Sequence, residues 1–256
     1  MDKRIVALLL ACAVFCVAAS NAWARGGSQG RGNAPIIATD TTFAPFEFQN
    51  AQGQYVGIDI ELLAAIAADQ GFGYDLRPLG FSAAVAALES GQADGVIAGM
   101  SITEERKLKY DFSAPYYDSG VAMAIRANDN TIKSYADLRG KRVAVKTGTE
   151  GATFAESIMG QHGFTLAYFD ESPLMYEEVK AGNFAACFED YPIMGYAIFQ
   201  GSGLKMVTAM ERGSSYGFAV LKGKNQELLR MFNQGLASIK ENGTYQAILD
   251  KYIKTE

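Results

Sequence analysis

Short apolar runs alternate with segments of helical periodicity along nearly the whole chain after Pro35, and this alternation limits the folds that the chain can adopt. A β-α-β-α order forms a largely parallel sheet that helices cover, so we expect an α/β architecture. The predicted strands are residues 36–39, 74–79, 95–98, 120–126, 142–146, 166–169, 185–188 and 215–221. The predicted helices are residues 59–70, 82–90, 103–109, 150–161, 173–180, 193–200, 226–242 and 245–252.

The alternation divides into two units that resemble each other. Residues 89–99 align with residues 180–190, since each segment is a helix end followed by a glycine and a buried strand. A chain of 256 residues has room for two units of about 100–130 residues, each with its own core. Open parallel sheets bind ligands beyond the carboxyl ends of their strands. The residues at those predicted ends are Asp40, Gly99, Ser101, Lys146, Glu189 and Asp190.

The first residues have the order of a secretory signal peptide. Lys3 and Arg4 precede an apolar run at residues 5–19, and Ala22-Trp23-Ala24 supplies the small residues of a cleavage site. The run is short for a hydrocarbon layer of roughly 30 Å, which argues against a membrane anchor. We therefore expect residues 1–24 to be removed and the protein to be periplasmic.

Two further expectations concern the same end of the chain. Leu9-Leu10-Ala11-Cys12 resembles a lipobox, so a lipid-anchored form with Cys12 as the acceptor is the alternative to free export. Residues 25–34 are mostly Gly-rich and polar, and we expect them to be a flexible tether rather than part of the fold.

The composition excludes several functional classes. A net charge of −5 without a dense basic run argues against a nucleic-acid partner, which requires positive charge to neutralise phosphates. The mature chain would keep one histidine, His162, and one cysteine, Cys187, so we expect no disulfide, metal site or nucleophilic triad. We expect no cofactor either, because the loop at Gly148 and Thr149 lacks the spacing of a phosphate-binding loop.

Four charged residues at predicted strand ends and at one helix start have the chemistry of a clamp for a free amino acid. They are Asp40, Arg106, Lys146 and Asp190. Arg106 is the third residue of a helix capped by Thr103, where a guanidinium beside free N–H groups suits a carboxylate. A carboxylate such as that of Asp190 suits an ammonium group. The alternative is that Arg106 belongs to an exposed charged helix face and Asp190 to a turn.

Two aromatic residues near these ends also admit two interpretations. Phe43 and Phe81 are placed where their rings could sandwich the aliphatic part of a ligand. Equally, rings at this density are commonly part of the hydrophobic core. Their position relative to the charged residues decides between the two.

Several motifs follow one another along the chain in a recognisable order. They are residues 38–48, 57–62 and 98–106, Asp-Phe-Ser-x-Pro-Tyr-Tyr at residues 111–117, Gly148-Thr149 and Glu241-Asn242-Gly243-Thr244-Tyr245. Together they resemble the polar amino acid-binding proteins of ABC importers, the solute-binding protein family 3, and within it the glutamine-binding branch most. The resemblance covers nearly everything from residue 35 to residue 252.

The resemblance implies a two-lobed periplasmic-binding-protein fold of type II, in which each lobe is a mostly parallel sheet flanked by helices. Two hinge strands near residues 117–121 and 214–218 would join the lobes. Lobe 1 would comprise residues 35–118 and 217–256, and lobe 2 residues 119–216. The family also implies a monomer that closes on an L-amino acid and is then recognised by a membrane permease.

Carried over position by position, the resemblance assigns roles at the main-chain end of the ligand. Arg106 would bind the α-carboxylate, assisted by backbone groups at Ser101 and Thr149. Asp190 would hold the α-ammonium together with the Gly99 carbonyl and Ser101. Each lobe would thus supply part of the amino-acid clamp.

The same comparison assigns the side-chain end. Phe43 and Phe81 would pack on the ligand stem, while Asp40 and Lys146 would face its terminal group. In the glutamine branch an acid accepts from the amide nitrogen and a lysine donates to the amide oxygen, which satisfies both charges without adding net charge. Met100, between Gly99 and Ser101, is also expected to be a ligand-binding residue.

Two departures from the glutamine pattern keep other ligands open. Glu189 stands where that pattern carries His, and Glu150 stands where a Gly is expected. Glu150 would act through its backbone N–H, so its side chain has no effect if it points outward. Glu189 either draws specificity towards arginine or lysine, or pairs with a lysine of lobe 2 or with solvent.

A different class of function is an enzyme of the cyclohexadienyl dehydratase type, which shares this architecture. Glu150, or the Glu189-Asp190 pair, would then act as a buried general acid. We expect binding rather than catalysis, because a clamp made of Arg106 and Asp190 holds an amino acid and no second catalytic group is evident.

Overall fold

The structure is a computed structural model and describes residues 34–253. The predicted signal peptide, the lipobox cysteine Cys12 and the tether up to residue 33 lie outside the described residues. The strands are β1 Ile36–Thr39, β2 Thr42–Phe43, β3 Glu47–Gln49, β4 Tyr55–Val56, β5 Asp75–Pro78, β6 Gly95–Val96, β7 Tyr110–Phe112, β8 Tyr117–Arg126, β9 Arg142–Lys146, β10 Thr165–Phe169, β11 Ala186–Asp190, β12 Leu204–Met206, β13 Glu211–Tyr216 and β14 Ala219–Leu221. The helices are α1 Ile58–Gln70, α2 Phe81–Glu89, α3 Glu104–Lys107, α4 Glu150–His162, α5 Ser172–Ala181, α6 Tyr191–Phe199, α7 Gln226–Glu241 and α8 Thr244–Tyr252. None of the helices in this range combines the length and the apolar character needed to cross a membrane.

The first sheet has the strand order β5-β1-β6-β14-β7. β1 pairs in parallel with β5 and β6, whereas β14 pairs antiparallel with β6 and β7. Ile37 and Ala38 of β1 point to opposite faces, and both are fully buried. Ile37 belongs to the core under α1, α7 and α8, and Ala38 to the core under α2. The C-terminal helices therefore cover this sheet, which we call lobe 1.

The second sheet has the strand order β10-β9-β11-β8-β12, with β13 also paired to β8. β9 is parallel to β10 and β11, and β8 is antiparallel to its partners. Val143 and Val145 of β9 pack in the core under α4, while Ala144 between them packs under α5 and α6. We call this part lobe 2. Both sheets carry helices on two faces, as the α/β prediction requires.

Two segments connect the lobes. The chain passes from β7 in the first sheet to β8 in the second, and it returns from β13, which pairs with β8, to β14, which pairs with β6 and β7. The prediction of one strand over residues 215–221 is therefore wrong. That strand ends at Tyr216, because the N–H of Gly217 donates to the Met100 carbonyl at 3.0 Å and the chain changes sheets. A Cβ at Gly217 would lie 2.9 Å from the Ile102 side chain, so a larger residue at the crossing would displace that side chain.

The predicted helices are present, and their ends agree with the structure to within two residues. The sequence did not predict the small antiparallel sheet of β2, β3 and β4, or the strands β7 and β12. These strands contain two or three residues each, which is too few for a period of two to be visible. The small sheet matters for function because it carries Phe43 and Glu47 in direct register.

Candidate functional site

The strand ends of both lobes meet at one small cavity. Its lining residues are Asp40, Phe43, Phe81, Ala98, Gly99, Ser101, Arg106, Thr149, Glu150 and Asp190. Asp40 follows β1, Gly99 and Ser101 follow β6, and Asp190 ends β11, so the carboxyl ends of the strands form the site as expected for open α/β sheets. The cavity has a volume of about 10 Å³, which is the space of a single water molecule. The lobes are therefore closed in this conformation.

Arg106 bridges the two lobes. Its helix α3 begins after Thr103, whose side chain accepts a hydrogen bond from the Arg106 backbone N–H at 3.2 Å. Nη1 donates to the Ser101 carbonyl of lobe 1 at 3.0 Å, and Nη2 donates to the Gly148 carbonyl of lobe 2 at 3.1 Å. The guanidinium also lies 5.5 Å from the centre of the Phe81 ring. Burial lowers the pKa of Arg106 from its ordinary value. The alternative of an exposed charged face is therefore wrong for this residue.

Glu150 is the first residue of α4, and its side chain turns towards Arg106. One carboxylate oxygen lies 3.9 Å from Arg106 Nη2, and the other lies 3.9 Å from Arg212 Nη1. The carboxylate is mostly buried, so it does not point outward into solvent. Its negative charge therefore stands beside the guanidinium on which the clamp interpretation depends.

Asp190 is held by the strands that connect the lobes. Its Oδ2 accepts a hydrogen bond from the Tyr216 hydroxyl at 2.7 Å, and Ser119 donates to that hydroxyl at 3.0 Å. Burial raises the pKa of Asp190 to about 7, and the charge of Glu189 adds to this rise, while the Tyr216 hydrogen bond opposes it. Sequence reasoning missed Tyr216 and Ser119 as supports, although both lie in the predicted hinge segments.

Asp40 and Lys146 form a buried ion pair across the lobes. Their carboxylate and ammonium groups are in direct contact, and each side chain is 1% exposed. Lys146 also approaches the Thr42 hydroxyl at 3.5 Å and lies 5.3 Å from the centre of the Phe43 ring. The pair is thus enclosed between the small antiparallel sheet and the end of β9. Such a pair presents one acceptor and one donor at the same place.

The structure places three of the predicted site residues outside the cavity lining: Met100, Lys146 and Glu189. Met100 is buried in the core of lobe 1, and Lys146 is reached through Asp40. Ala98, which lines the cavity, was not predicted; it is the apolar residue before Gly99 and carries no polar signal.

Glu189 differs from the expectation that it pairs with a lysine of lobe 2 or with solvent. Its Oε2 accepts hydrogen bonds from the hydroxyls of Ser172 and Tyr176 at 2.8 Å each, and its Oε1 accepts from the Asp190 N–H at 3.0 Å. The residue is 1% exposed, so its partners are neither a lysine nor solvent. The carboxylate is therefore satisfied inside lobe 2 by groups that no local motif brings together.

A larger groove lies between the lobes on the far side of the ion pair. It has a volume of about 460 Å³. Lobe 1 contributes Thr42 and Phe48, and lobe 2 contributes Ser172 and Tyr176, whose hydroxyls bind Glu189. The groove is larger than the cavity, but its charged lining residues, Glu177 and Lys180, pair with each other on α5, whereas the charged residues of the cavity come from both lobes.

The described part of the chain offers neither a reactive thiol nor a metal-binding cluster. Cys187 is fully buried, and burial raises the pKa of its thiol far above the ordinary value, so it is an unreactive core residue. Among residues 34–253, no cluster of three or more His, Cys, Asp or Glu side chains is arranged to hold a metal ion.

Comparison with known proteins shows which family the chain belongs to. Residues 36–255 match the family described as bacterial extracellular solute-binding proteins, family 3, and the chain belongs to that family. The L-cystine-binding protein TcyJ of Escherichia coli (strain K12) is 32% identical over 220 residues, which cover 85% of this chain and 81% of TcyJ. The arginine-binding extracellular protein ArtP of Bacillus subtilis (strain 168) is 30% identical over the whole of both chains.

Solved structures show the same type II periplasmic-binding-protein fold. An ancestral arginine-binding protein bound to glutamine superimposes with a TM-score of 0.80 at 37% identity, covering 89% of this chain and all of that one. The second substrate-binding domain of Lactococcus lactis GlnP, in an open conformation, superimposes with a TM-score of 0.61 at 41% identity, covering 90% and 100%.

Proposed function

We propose that the protein is the extracytoplasmic substrate-binding component of an ABC importer for a polar L-amino acid, with glutamine as the ligand that best fits the site. The observation that carries the proposal is the cavity itself. It brings a guanidinium of lobe 1, Arg106, together with a carboxylate of lobe 2, Asp190, and places the Asp40–Lys146 pair beside them. The partner of the loaded form would be a membrane permease.

The charges of the cavity match the three polar ends of glutamine. A guanidinium binds the α-carboxylate through paired N–H donors, and Asp190 accepts from the α-ammonium. At the side-chain end, Asp40 would accept from the amide N–H and Lys146 would donate to the amide oxygen. A neutral amide satisfies both members of that buried pair, whereas a charged side chain would leave one of them opposed by a like charge.

Closure of the lobes would be the mechanism. A cavity of about 10 Å³ cannot admit an amino acid, so the lobes must separate before the ligand enters. Each lobe holds only part of the clamp, and the closed form alone brings all of these groups to the ligand. The ligand would therefore stabilise the closed form, because it binds the closed form more tightly than the open form.

Arginine is the second candidate, and lysine belongs with it. The Glu150 carboxylate adds a negative charge at the cavity, and the relatives include an arginine-binding protein. The argument against arginine and lysine is that a cationic side chain would meet the buried Lys146 ammonium.

We also propose that the protein is exported to the periplasm, that it is a monomer and that it does not catalyse a reaction.

The test is calorimetric titration of refolded, ligand-stripped protein, beginning at residue 25, with each of the twenty amino acids. We expect glutamine to bind, and Asp190→Ala to abolish the binding while Asp250→Ala, an exposed carboxylate of α8, leaves it unchanged. Tighter binding of arginine or lysine would replace glutamine as ligand and contradict the role given to Asp40 and Lys146. No binding by any amino acid, followed by turnover of a prephenate-type substrate, would establish the enzyme alternative instead.

A further inference from the structure

Two carboxyl groups, those of Glu47 and Asp59, are buried behind the cavity, and both residues have an exposed fraction of zero. Three of their four oxygen atoms have no hydrogen-bond partner among the described residues: both oxygens of Glu47 and Oδ1 of Asp59. The fourth, Asp59 Oδ2, accepts from the Gly99 N–H and from the Tyr116 hydroxyl at 2.8 Å each. Gly99 lines the cavity, so this one residue separates the Asp59 carboxyl group from the cavity.

These carboxyl groups are neighbours, and the fold holds them together. Glu47 on β3 is in register with Phe43 on β2, and the Asp59 N–H at the start of α1 donates to the Phe46 carbonyl at 2.9 Å. Their side chains are within hydrogen-bond reach of each other, and two adjacent carboxylates that share no proton are strongly unfavourable in a buried site. A proton on one of them removes one charge and supplies the missing donor.

The hydrogen bonds decide which carboxyl group carries the proton. Asp59 already accepts two hydrogen bonds, and these favour its charged form. Burial, followed by the charges of Asp59 and Asp40, raises the pKa of Glu47 well above its ordinary value, and Lys146 only partly opposes this. Burial raises the pKa of Asp59 to about 6, against the hydrogen bonds of Gly99 and Tyr116.

We propose that Glu47 is a carboxylic acid that donates its proton to Asp59 Oδ1, and that the acid–carboxylate pair so formed positions Gly99 at the amino-acid site. The positioning role rests on the proposed function, because Gly99 is the residue whose carbonyl would accept from the ligand ammonium. Glu47 and Asp59 are positioning residues, since neither lines the cavity.

The surroundings of Gly99 make its position sensitive to Asp59. Gly99 has a φ of +52°, and a Cβ there would lie 2.4 Å from the Phe43 ring, so the residue is confined between that ring and the Asp59 carboxylate. A neutral Glu47 also leaves Lys146 to pair with Asp40 alone. A charged Glu47 would add a second negative charge near that ammonium group and weaken the pair proposed to face the ligand side chain.

Infrared spectroscopy of the ligand-free protein tests the proton directly. A protonated carboxyl group has a C=O stretch that a carboxylate lacks, and Glu47→Gln should remove one such band from the spectrum at neutral pH. Glu227→Gln, at an exposed carboxylate paired with Arg230, is the matched control and should remove none. A wild-type minus Glu47→Gln difference that contains only carboxylate bands would overturn the proposal.

Two further variants test positioning. Glu47→Leu deprives Asp59 Oδ1 of its donor, and we expect about tenfold weaker amino-acid binding, with most of the affinity recovered in Glu47→Gln because its amide N–H donates to Asp59. Equal affinities of the Leu and Gln variants would overturn the positioning role.

Asp59→Asn should shift the Gly99 amide proton resonance and speed the exchange of that proton with solvent. An unchanged resonance and an unchanged exchange rate would also overturn the positioning role. The infrared and Gly99 readouts need no ligand, so they separate this proposal from a failure of the proposed function.

Discussion

At the scale of single residues, the site is governed by carboxyl groups whose charge depends on their surroundings. Asp190 has one hydrogen-bond donor, Tyr216, at 2.7 Å, and is otherwise buried beside the Glu189 carboxylate. Its pKa of about 7 means that the ligand-free site is partly protonated at neutral pH. An ammonium group at this position favours the charged form of the carboxylate. Binding of the proposed amino acid should therefore release a proton.

The first prediction concerns this proton. Below a pH of about 7, the affinity for glutamine should fall by up to about tenfold per pH unit, because only ionised Asp190 accepts the ammonium group. Calorimetry in buffers of different ionisation enthalpy should show proton release at about pH 6 and little at about pH 8. Asp190→Asn, which binds more weakly, should lack the pH dependence. An affinity that is constant with pH, without proton release, would contradict the prediction.

The same raised pKa makes the stability of the ligand-free fold change with pH in the opposite direction to the ligand affinity. The Asp190 carboxyl takes up a proton more readily in the folded state than in the unfolded state, so its protonation stabilises the fold. This contribution is full below the ordinary pKa of an aspartate, 3.8, and is lost as the pH rises through about 7. Ligand-free protein should therefore lose stability from this residue as the pH rises to neutral.

The second prediction concerns Glu150. Its carboxylate lies 3.9 Å from Arg106 Nη2, where in the proposed binding mode it would repel the carboxylate of an incoming amino acid. Glu150→Gln should bind glutamine about fivefold more tightly, as expected for loss of about 1 kcal/mol of repulsion. Glu156→Gln, at an exposed position of the same helix, is the control. Weaker binding of arginine in the Glu150→Gln variant, with no gain for glutamine, would favour the cationic ligand instead.

At the scale of elements, the start of α1 fixes the geometry behind the site. Gly57 precedes the helix with a φ of +133°, and a Cβ there would lie 2.1 Å from the Phe46 carbonyl oxygen. This close approach lets the Ile58 and Asp59 N–H groups donate to the carbonyls of Pro45 and Phe46. The small antiparallel sheet and α1 are thus joined through backbone atoms, and only glycine permits the contact.

The third prediction tests this junction. Gly57→Ala should lower the free energy of unfolding by about 3 kcal/mol or more, since both the backbone conformation and the contact with Phe46 are lost. Gly160→Ala is a matched control, because Gly160 lies within α4 and a Cβ there meets nothing within 4 Å. We expect the control to gain about 0.5–1 kcal/mol from helix propensity. Urea denaturation of both variants measures the difference, and equal effects would exclude the proposed strain at Gly57.

At the scale of the whole molecule, closure depends on few contacts between the lobes. Arg106 donates to the Gly148 carbonyl at 3.1 Å, Ser82 donates to the Thr147 carbonyl at 3.1 Å, and Asp40 pairs with Lys146. If the lobes move about the connections through β8 and the β13–β14 segment, as expected for hinge strands, they can separate without disrupting either core. A ligand that adds hydrogen bonds from both lobes shifts such an equilibrium towards the closed form.

The fourth prediction follows from this equilibrium. Spin labels at Ser90→Cys in lobe 1 and Asp170→Cys in lobe 2, both exposed, should give a longer and broader distance distribution without glutamine than with it. Pulsed electron paramagnetic resonance measures the distribution, and Cys187 is buried and stays unlabelled. A control pair within lobe 1, Ser90→Cys and Glu241→Cys, should not change. Identical distributions with and without glutamine in the first pair would exclude closure as the mechanism.

The sequence predicts the order of the helices and strands and the position of the site. Both depend on local periodicity and on strand ends, which involve residues close together in the chain. Asp40, Gly99, Ser101 and Asp190 were predicted as strand-end residues, and the structure brings them to one cavity. The strand over residues 215–221 was predicted as continuous, since its break at Gly217 arises from a change of sheet that no local pattern records.

The α/β class and the family could therefore be predicted from the residues alone, because both depend on motifs that follow one another along the chain. The environments of the acidic side chains, in contrast, depend on how the lobes pack. The tertiary structure buried Glu189 against two hydroxyls of α5, turned Glu150 towards Arg106, and placed Glu47 beside Asp59. The physical reason is that a carboxyl group's charge and partners depend on burial and on residues distant in the chain, which the packing of the lobes brings together.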